Sequence, residues 1–560
     1  MMDAQLKEIQ AYLEENKLGC VYIENPNGDY LFVDIDVKGE TIRLKCMFPI
    51  SFPYTFPKIY MLKEFYEKYK PLPHISEFGD DKFVCTFDSN IVFPNINKPK
   101  EITLECINKA KKIIIDGIEG NNKEDFKNEF SSYWEMSSKM HAELIFTPIE
   151  ETTELYCCIL NENLLVLSNS KEKLINYLMY SKGVKLKSYE FYLALYIPLE
   201  ENWTPEFPIN NRDIFNILKN ERYYREYIKY LRNNTDKQII VFSQKNNNMC
   251  LGGWIHKKRS IPNGFRLNHI IPEYIYGMIY GEDEINKFSV SLLNHKRLYE
   301  RGGDGNVRDD LKVSITGCGS IGSTLTKVLV DLGVKSFLLI DNDIITSDNI
   351  ARHFCGAKYI GKKKVVSIKE ELLNHYPDIN IEILDEDIFL ALDKKIESFN
   401  QCDFNFLVVG NIPIEHKLIS MFVDGYIEKP LIIIWVEPYL MGGHVVILQK
   451  RQSDIIKRLF REDFSYYQNV LLDGDRYVKR ESGCGSTFLP YSAFEIQIFI
   501  NTIMDYINKN IFEKNNKNNY ILSWCGRLDV ARKNRMKISP QWLGEDNRKL
   551  RVEKLNNEEL

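Results

Sequence analysis

The chain has 560 residues, room for three or four domains at roughly 150 residues each. Hydrophobic residues make up 44% and charged residues 27%, as in an ordinary globular protein, and a net charge of −5 argues against direct nucleic-acid binding or a membrane partner. No apolar run approaches twenty residues, no signal peptide is evident, and none of the 12 cysteines forms a C-x-x-C pair, so the composition points to a reducing cytoplasm and away from structural zinc.

Residues 3–15 predict an amphipathic helix with Leu6, Ile9, Tyr12 and Leu13 on one side. Residues 30–37 and 41–47 predict a hairpin about Lys38 and Gly39. The stretch FPISFPYTFPKIYML follows, and Pro49, Pro53 and Pro57 predict an extended, rigid passage along an edge. His74 and Gly79 then precede Cys85, which on its immediate neighbours alone reads as a buried cysteine. Helices are expected in ITLECINKAKKIIIDGI and FKNEFSSYWEM. Between residues 150 and 300, strands are expected at 155–160, 164–167, 189–197, 239–243 and 252–255, with a tyrosine-rich helix at 222–232. No constellation of chemistry stands out there, and His256, beside Lys257, Lys258 and Arg259, reads as part of a solvated face.

Residues 311–364 carry the strongest pattern. LKVSITGCGSIGS reads as a buried strand, a tight turn and a helix start, with Gly317, Gly319 and Gly322 in the G-x-G-x-x-G spacing. Such a turn brings backbone N–H groups and a helix N-terminus to an anionic phosphate. A second strand ends at Asp341, placed to meet a ribose hydroxyl. The glycine pattern by itself is equally compatible with NAD or FAD. Asp343, Asn349, Arg352 and Lys364 follow, and a further carboxylate, an amide and two cations beside a phosphate suit a triphosphate with Mg²⁺ better than hydride transfer. Alternating strands and helices continue to residue 445, which predicts a mostly parallel doubly wound sheet. Near the end, Cys484 lies between two glycines in KRESGCGSTFLP, with Lys479 and Arg480 nearby to lower its pKa, ahead of a long apolar helix. Cys525, in LSWCGRL, is the competing cysteine.

The motifs RGGDG, GCGSIGS, LLIDND, NIARH and GKKK, in that order, resemble the adenylation domain of ubiquitin-activating enzymes and their bacterial ThiF-type relatives. They are most similar to the fused conjugating–activating enzymes of bacterial anti-phage CBASS operons. The resemblance implies ATP and Mg²⁺ as cofactors, adenylation of a protein C-terminus, and capture of the acyl group as a cysteine thioester. It implies that Asp341 holds the ribose and Asp343 helps place Mg²⁺. Asn349, Arg352 and Lys364 would contact phosphates, and Arg301, in YERGGDG, would also reach ATP. It assigns Cys484 the transfer step. Many relatives carry Asp-Asn where this chain has Gly410 and Asn411, which leaves more of the Mg²⁺ load on Asp343. Residues 5–145 resemble ubiquitin-conjugating enzymes, with Cys85 as the thioester cysteine. The usual His-Pro-Asn is His74, Ile75, Ser76 here, so Asn90 or a backbone N–H would have to serve the oxyanion.

The expected organisation is an α+β conjugating-enzyme-like domain at 1–148, a linker and degenerate α/β adenylation-like scaffold at 149–295, and a doubly wound α/β adenylation and transfer-cysteine domain at 296–560. The expected partners are a protein substrate with an exposed C-terminal tail, in the resembled systems a cGAS-like nucleotidyltransferase, and a second copy of the chain as a homodimer. An NAD-dependent oxidoreductase and a non-catalytic adaptor that binds a partner's C-terminal tail are the competing readings.

Overall fold

The structure, a computed structural model, describes residues 2–25, 28–76, 79–88, 90–185, 187, 189–234, 237–245, 247–257, 271–480, 487–514 and 516–555. The chain divides into two compact units, Met1–Leu174 with Lys187–Leu292, and Ile175–Leu186 with Leu293–Leu560.

The first unit begins with the helix Met2–Glu15, whose Leu6, Ile9 and Leu13 are fully buried, as the spacing predicts. An antiparallel five-stranded sheet follows in chain order: Gly19–Ile23, Tyr30–Val37, Glu40–Met47, Lys58–Met61 and Lys82–Val84. Alternation buries Leu31, Val33, Ile35 and Val37 on one face of the second strand. Lys38 and Gly39 both adopt positive φ at the hairpin turn. The helix Pro99–Glu119 closes the core with Ile102, Cys106, Ile107, Ala110 and Ile114. The proline passage departs from expectation. It makes consecutive turns, with Phe52 N–H donating to Pro49 O and Tyr54 N–H to Ser51 O, because the fixed φ of proline suits turn positions as well as extended chain.

Residues 140–292 correct the expected α/β adenylation-like scaffold. They form a closed seven-stranded barrel, in spatial order Gln238–Gln244, Asn247–His256, Asn286–Leu292, Met140–Ile145, Leu164–Ser168, Thr153–Asn161 and Phe191–Pro198. Parallel and antiparallel pairs are mixed, and closure leaves no open sheet end at which a doubly wound nucleotide crevice could form. Ala142, Leu155, Leu165, Tyr196, Val241 and Phe288 fill one core. A second, aromatic core seals the outside: Phe130 and Trp134 pack with Trp203, Tyr227, Phe242 and Trp254. Gly252 makes that contact possible, since a Cβ there would lie 2.6 Å from Trp134 Nε1. Trp134 Nε1 donates to Phe288 O at 2.9 Å, which ties the helix Phe130–Met136 to the barrel.

His256 is also corrected. It is 3% exposed, not on a solvated face. Its Nε2 accepts from Tyr227 Oη at 2.8 Å and Trp254 Nε1 at 3.1 Å, and its Nδ1 donates to Asn211 Oδ1 at 2.7 Å. Burial pushes its pKa down to about 3, so it is a neutral core residue.

The second unit is built on an eight-stranded sheet in the order Asn380–Leu384, Val334–Ile340, Arg308–Thr316, Phe404–Leu407, Leu431–Val436, Gly442–Leu448, Tyr520–Cys525 and Leu550–Lys554. The first five strands are parallel and the last three join antiparallel. Strand order reverses between Arg308–Thr316 and its two neighbours, the switch point where an open α/β sheet leaves a ligand crevice. The helices Ser320–Asp331 and Ala493–Ile507 pack on one face, burying Leu325, Leu329, Phe499, Ile500 and Ile503. The long apolar helix Ala493–Ile507 thus packs one face into the unit's own core, while its Phe494 is exposed. No described helix is long and apolar enough to cross a membrane.

Candidate functional site

At the switch point lies a cavity of about 210 Å³, lined by the ends of three parallel strands: Thr316 and Gly317, Ile340 to Asp343, and Val408 and Val409. Gly317 has φ 90°, and a Cβ there would lie 2.5 Å from Val408 O. A Cβ on Gly322 would lie 1.9 Å from Gly317 O, so only glycine lets the helix Ser320–Asp331 start against the turn. A Cβ on Gly319 would meet nothing within 4 Å, which leaves its backbone open to the cavity it lines. Asp341 braces the turn: its carboxylate accepts Cys318 N–H at 2.7 Å and Asp343 N–H at 2.8 Å. Lys364, the first residue of the helix Lys364–His375, donates from Nζ to Asp343 Oδ2 at 2.7 Å.

The remaining expected phosphate residues do not line this cavity. Arg301 is exposed in the last turn of the helix His295–Gly302. Asn349 caps a short 3₁₀ turn, its Oδ1 accepting Thr346 N–H at 3.0 Å. Arg352 donates from Nη1 to Leu489 O at 2.9 Å and stacks over Tyr491, 4.6 Å from the ring centre. The cavity instead gains Asn342, Glu386 and Asp387. The last two follow the strand Asn380–Leu384 in the acidic run DEDIF, a signal readable only once that strand is known to lie beside Val334–Ile340. Among the described residues no three carboxylate, histidine or cysteine groups form a ready metal cage. The oxygen donors Asp343, Asn342, Glu386 and Asp387 fit a Mg²⁺ held mainly by its phosphates. Gly410 has φ 59° with nothing within 4 Å of a Cβ, and the turn after it is held from beneath. There the buried Glu415 accepts Asn411 N–H at 3.2 Å and Tyr466 Oη–H at 2.9 Å, and burial pushes its pKa up to about 7.

Cys85 follows the strand Lys82–Val84 and is the one exposed cysteine among the described residues. Its N–H donates to His74 O at 2.9 Å. His74 has φ 61°, and its own N–H donates to Tyr133 Oη at 2.8 Å. Its ring is gripped at both nitrogens, Nδ1 at 2.8 Å from Glu129 Oε1 and Nε2 at 2.9 Å from Asp125 Oδ2. The Glu129 hydrogen bond, with Asp125 behind it and against the cost of burial, raises the His74 pKa to about 9. A charged ring with both N–H groups committed to carboxylates is a clamp, with no proton free for general acid or base work. Burial, then Glu129 and Asp88, push the Cys85 thiol up. Asn90 is exposed, and its N–H donates to Asp88 Oδ1 in the turn after Cys85.

The ThiF family matches residues 300–480, and Prokaryotic E2 family B matches residues 26–142. The chain is a fusion of a prokaryotic E2 family B domain and a ThiF-family domain. It is similar to the ATP-dependent ubiquitin transferase-like protein Cap2 of Pseudomonas aeruginosa, 21% identical over 402 residues, which covers 66% of this chain and 70% of that protein. A second protein of that name, from Enterobacter hormaechei subsp. hoffmannii, is 33% identical over 82 residues, 15% of this chain and 14% of that protein. Ubiquitin-like modifier-activating enzyme 5 of Caenorhabditis briggsae is 29% identical over 108 residues, 18% of this chain and 25% of that protein.

The E2-family region therefore holds Cys85 and the His74 clamp, and the ThiF region holds the glycine turn, Asp341, Asp343 and Lys364. Cys484 lies outside the described residues. The chain on either side of it is described: Lys479–Arg480 pairs antiparallel with Thr487–Phe488. Cys525 is fully buried, its Sγ accepting Lys549 N–H at 3.3 Å, which leaves it no access to an acyl group. Sequence reasoning missed Glu129 and Asp125, whose only signal is their position in the helical stretch after residue 120.

Proposed function

We propose that the chain activates the C-terminus of a protein with ATP and conjugates it through a two-cysteine relay. The observation that carries this reading is the pairing, in one chain, of an E2-family domain with an exposed Cys85 and a ThiF-family domain with Lys364 and Asp343 at a glycine-turn crevice. A substrate carboxylate oxygen attacks the α-phosphorus and pyrophosphate leaves. The Cys484 thiolate attacks the acyl carbon and AMP leaves. The Cys85 thiolate then takes the acyl group, and Cys484 departs as thiolate. An amine finally attacks the Cys85 thioester, loses a proton, and forms an amide as the thiolate leaves.

On this reading Asp341 holds the ribose and Lys364 gives up Asp343 to meet phosphate. Asp343 and the neighbouring acidic groups would hold Mg²⁺, which would supply charge neutralisation for the phosphates. Arg301, Asn349 and Arg352 contact phosphates once nucleotide is present. The finer assignments rest on the family resemblance: a cGAS-like nucleotidyltransferase as the activated protein, a role in anti-phage defence in the cytoplasm, and a homodimer. The printed name of the Pseudomonas aeruginosa relative, an ATP-dependent ubiquitin transferase-like protein, supports the reaction class. Substrate-dependent ATP–pyrophosphate exchange, run with the protein products of neighbouring genes as substrates, tests the reading. Exchange lost in Lys364→Ala with the fold intact supports it, and unchanged exchange overturns it.

A further inference from the structure

The segment that follows Cys484 in the chain is held by groups rooted at the glycine turn. Leu489 O accepts Arg352 Nη1–H at 2.9 Å, and the Tyr491 ring lies 4.6 Å under the same guanidinium. Tyr491 Oη is 3.0 Å from the hydroxyl of Ser320, the first residue of the helix that opens at Gly319. Between these two holds, Pro490 O accepts Tyr439 N–H. Arg352 itself is anchored to the turn. The next residue, His353, is buried, and its Nε2–H donates to Cys318 O at 2.9 Å. Phe354 N–H then donates to Ser323 Oγ at 3.2 Å. Arg352 therefore springs from backbone fixed against the phosphate-binding turn, while its guanidinium is engaged by the chain just beyond Cys484.

We propose that Tyr491, with Ser320, is a positioning residue that latches the segment 487–491 to Arg352, and that nucleotide phosphates compete with this segment for the guanidinium. The inference rests on the proposed adenylation. Held on the Tyr491 ring and Leu489 O, Arg352 does not line the crevice, so its guanidinium has to leave them to clamp a phosphate there. A dianionic phosphate oxygen is a stronger acceptor than a neutral carbonyl. Binding nucleotide therefore draws Arg352 away and frees the arm that leads back to Cys484. Departure of pyrophosphate returns it. The latch makes the cysteine arm responsive to the phosphate state of the crevice, and it lowers the apparent nucleotide affinity by the share of molecules in which Arg352 is engaged.

The sign of this effect separates a latch from ordinary packing. In Tyr491→Ala both the ring and the hydroxyl contact are gone, so Arg352 is released in advance. The apparent KM for ATP in pyrophosphate exchange should fall by about 2–5-fold at unchanged maximal rate. Tyr491→Phe keeps the ring and loses only the Ser320 bond, and should fall between that variant and the parent. In the full-length protein, amide hydrogen exchange of the peptide covering 487–492 should quicken several-fold on saturation with Mg²⁺ and a non-hydrolysable ATP analogue. In Tyr491→Ala the same peptide should exchange fast with or without it. Analogue saturation is checked by calorimetric titration. If the analogue binds and the peptide exchanges no faster, or if Tyr491→Ala raises KM in a folded protein, the latch is wrong while the adenylation reading stands. If the analogue does not bind at all, the adenylation reading fails and the latch with it.

Discussion

The crevice of the ThiF region and the Cys85 turn of the E2 region handle charge in opposite ways. At the crevice Lys364 is paired with the exposed Asp343, and outside its lining Arg352 is engaged by the neutral Leu489 O. At the Cys85 turn, the cation is already satisfied, His74 lying between Glu129 and Asp125. The difference teaches where each region obtains its chemistry. On the proposed function, the crevice exchanges these internal contacts for a polyanion, and the ligand completes its electrostatics. The Cys85 turn spends its one histidine on shape, and burial pushes the Cys85 thiol up. On the proposed relay, that thiol receives its acyl group already activated, as a thioester on Cys484.

The comparison breaks most visibly at the cysteines. Cys484→Ala should abolish reductant-sensitive adducts on both Cys484 and Cys85. Cys85→Ala should keep one adduct on Cys484 and yield no amide. Gels with and without reductant, after incubation with ATP and substrate, read this directly. If Cys484→Ala still loads Cys85, the relay order is wrong. Next in size is Lys364→Ala. Loss of a cation at the developing phosphate charge should lower pyrophosphate exchange by about 10²–10³-fold, with circular dichroism unchanged.

The His74 clamp gives a smaller and pH-dependent effect. The His74 pKa is raised to about 9 in the fold, so its stabilisation is complete below its ordinary value near 6.5 and is lost as pH rises through about 9. Its partners are more than a third exposed, which limits the effect to about 1 kcal/mol. The denaturant midpoint of the parent should fall between pH 7 and pH 10, and that fall should be absent in His74→Gln. The same variant should slow amide formation from a preloaded Cys85, while pyrophosphate exchange is untouched. Smallest is Gly410→Asp, which places a carboxylate at the crevice turn. Aspartate tolerates the left-handed conformation at a cost of about 1 kcal/mol, and half-saturation of exchange by Mg²⁺ should improve by about 2–5-fold.

The elements legible in the sequence were those whose signal is local. The glycine spacing gave Gly317 and Gly322 their roles because a positive φ or a close backbone approach excludes every other residue there, while Gly319 leaves its backbone open to the cavity. The buried parallel strands announced themselves as short apolar runs, and Asp341 and Asp343 came with them just past the end of Val334–Ile340, with Lys364 opening the next helix. Cys85 read as buried on its neighbours alone, and only the resemblance to ubiquitin-conjugating enzymes singled it out with His74; the structure exposes it. Cys525 could be set against Cys484 from its neighbours, and the structure buries it.

Tertiary structure alone decided what depends on distant segments meeting. The strands of residues 140–292 look the same in sequence whether a sheet stays open or closes, and only their pairing makes a barrel that has no nucleotide crevice. His256 follows the same rule: basic neighbours suggest solvent, but Tyr227, Trp254 and Asn211 converge on the ring from elsewhere and bury it. Glu129 reaches His74 across 55 positions of sequence, and Tyr491 reaches Ser320 across 171. A sequence states which side chains can carry charge, hydrogen bonds or an acyl group. Which of them are already committed to one another is a property of the packed chain, because it is set by distances of a few ångströms between residues that local patterning never relates.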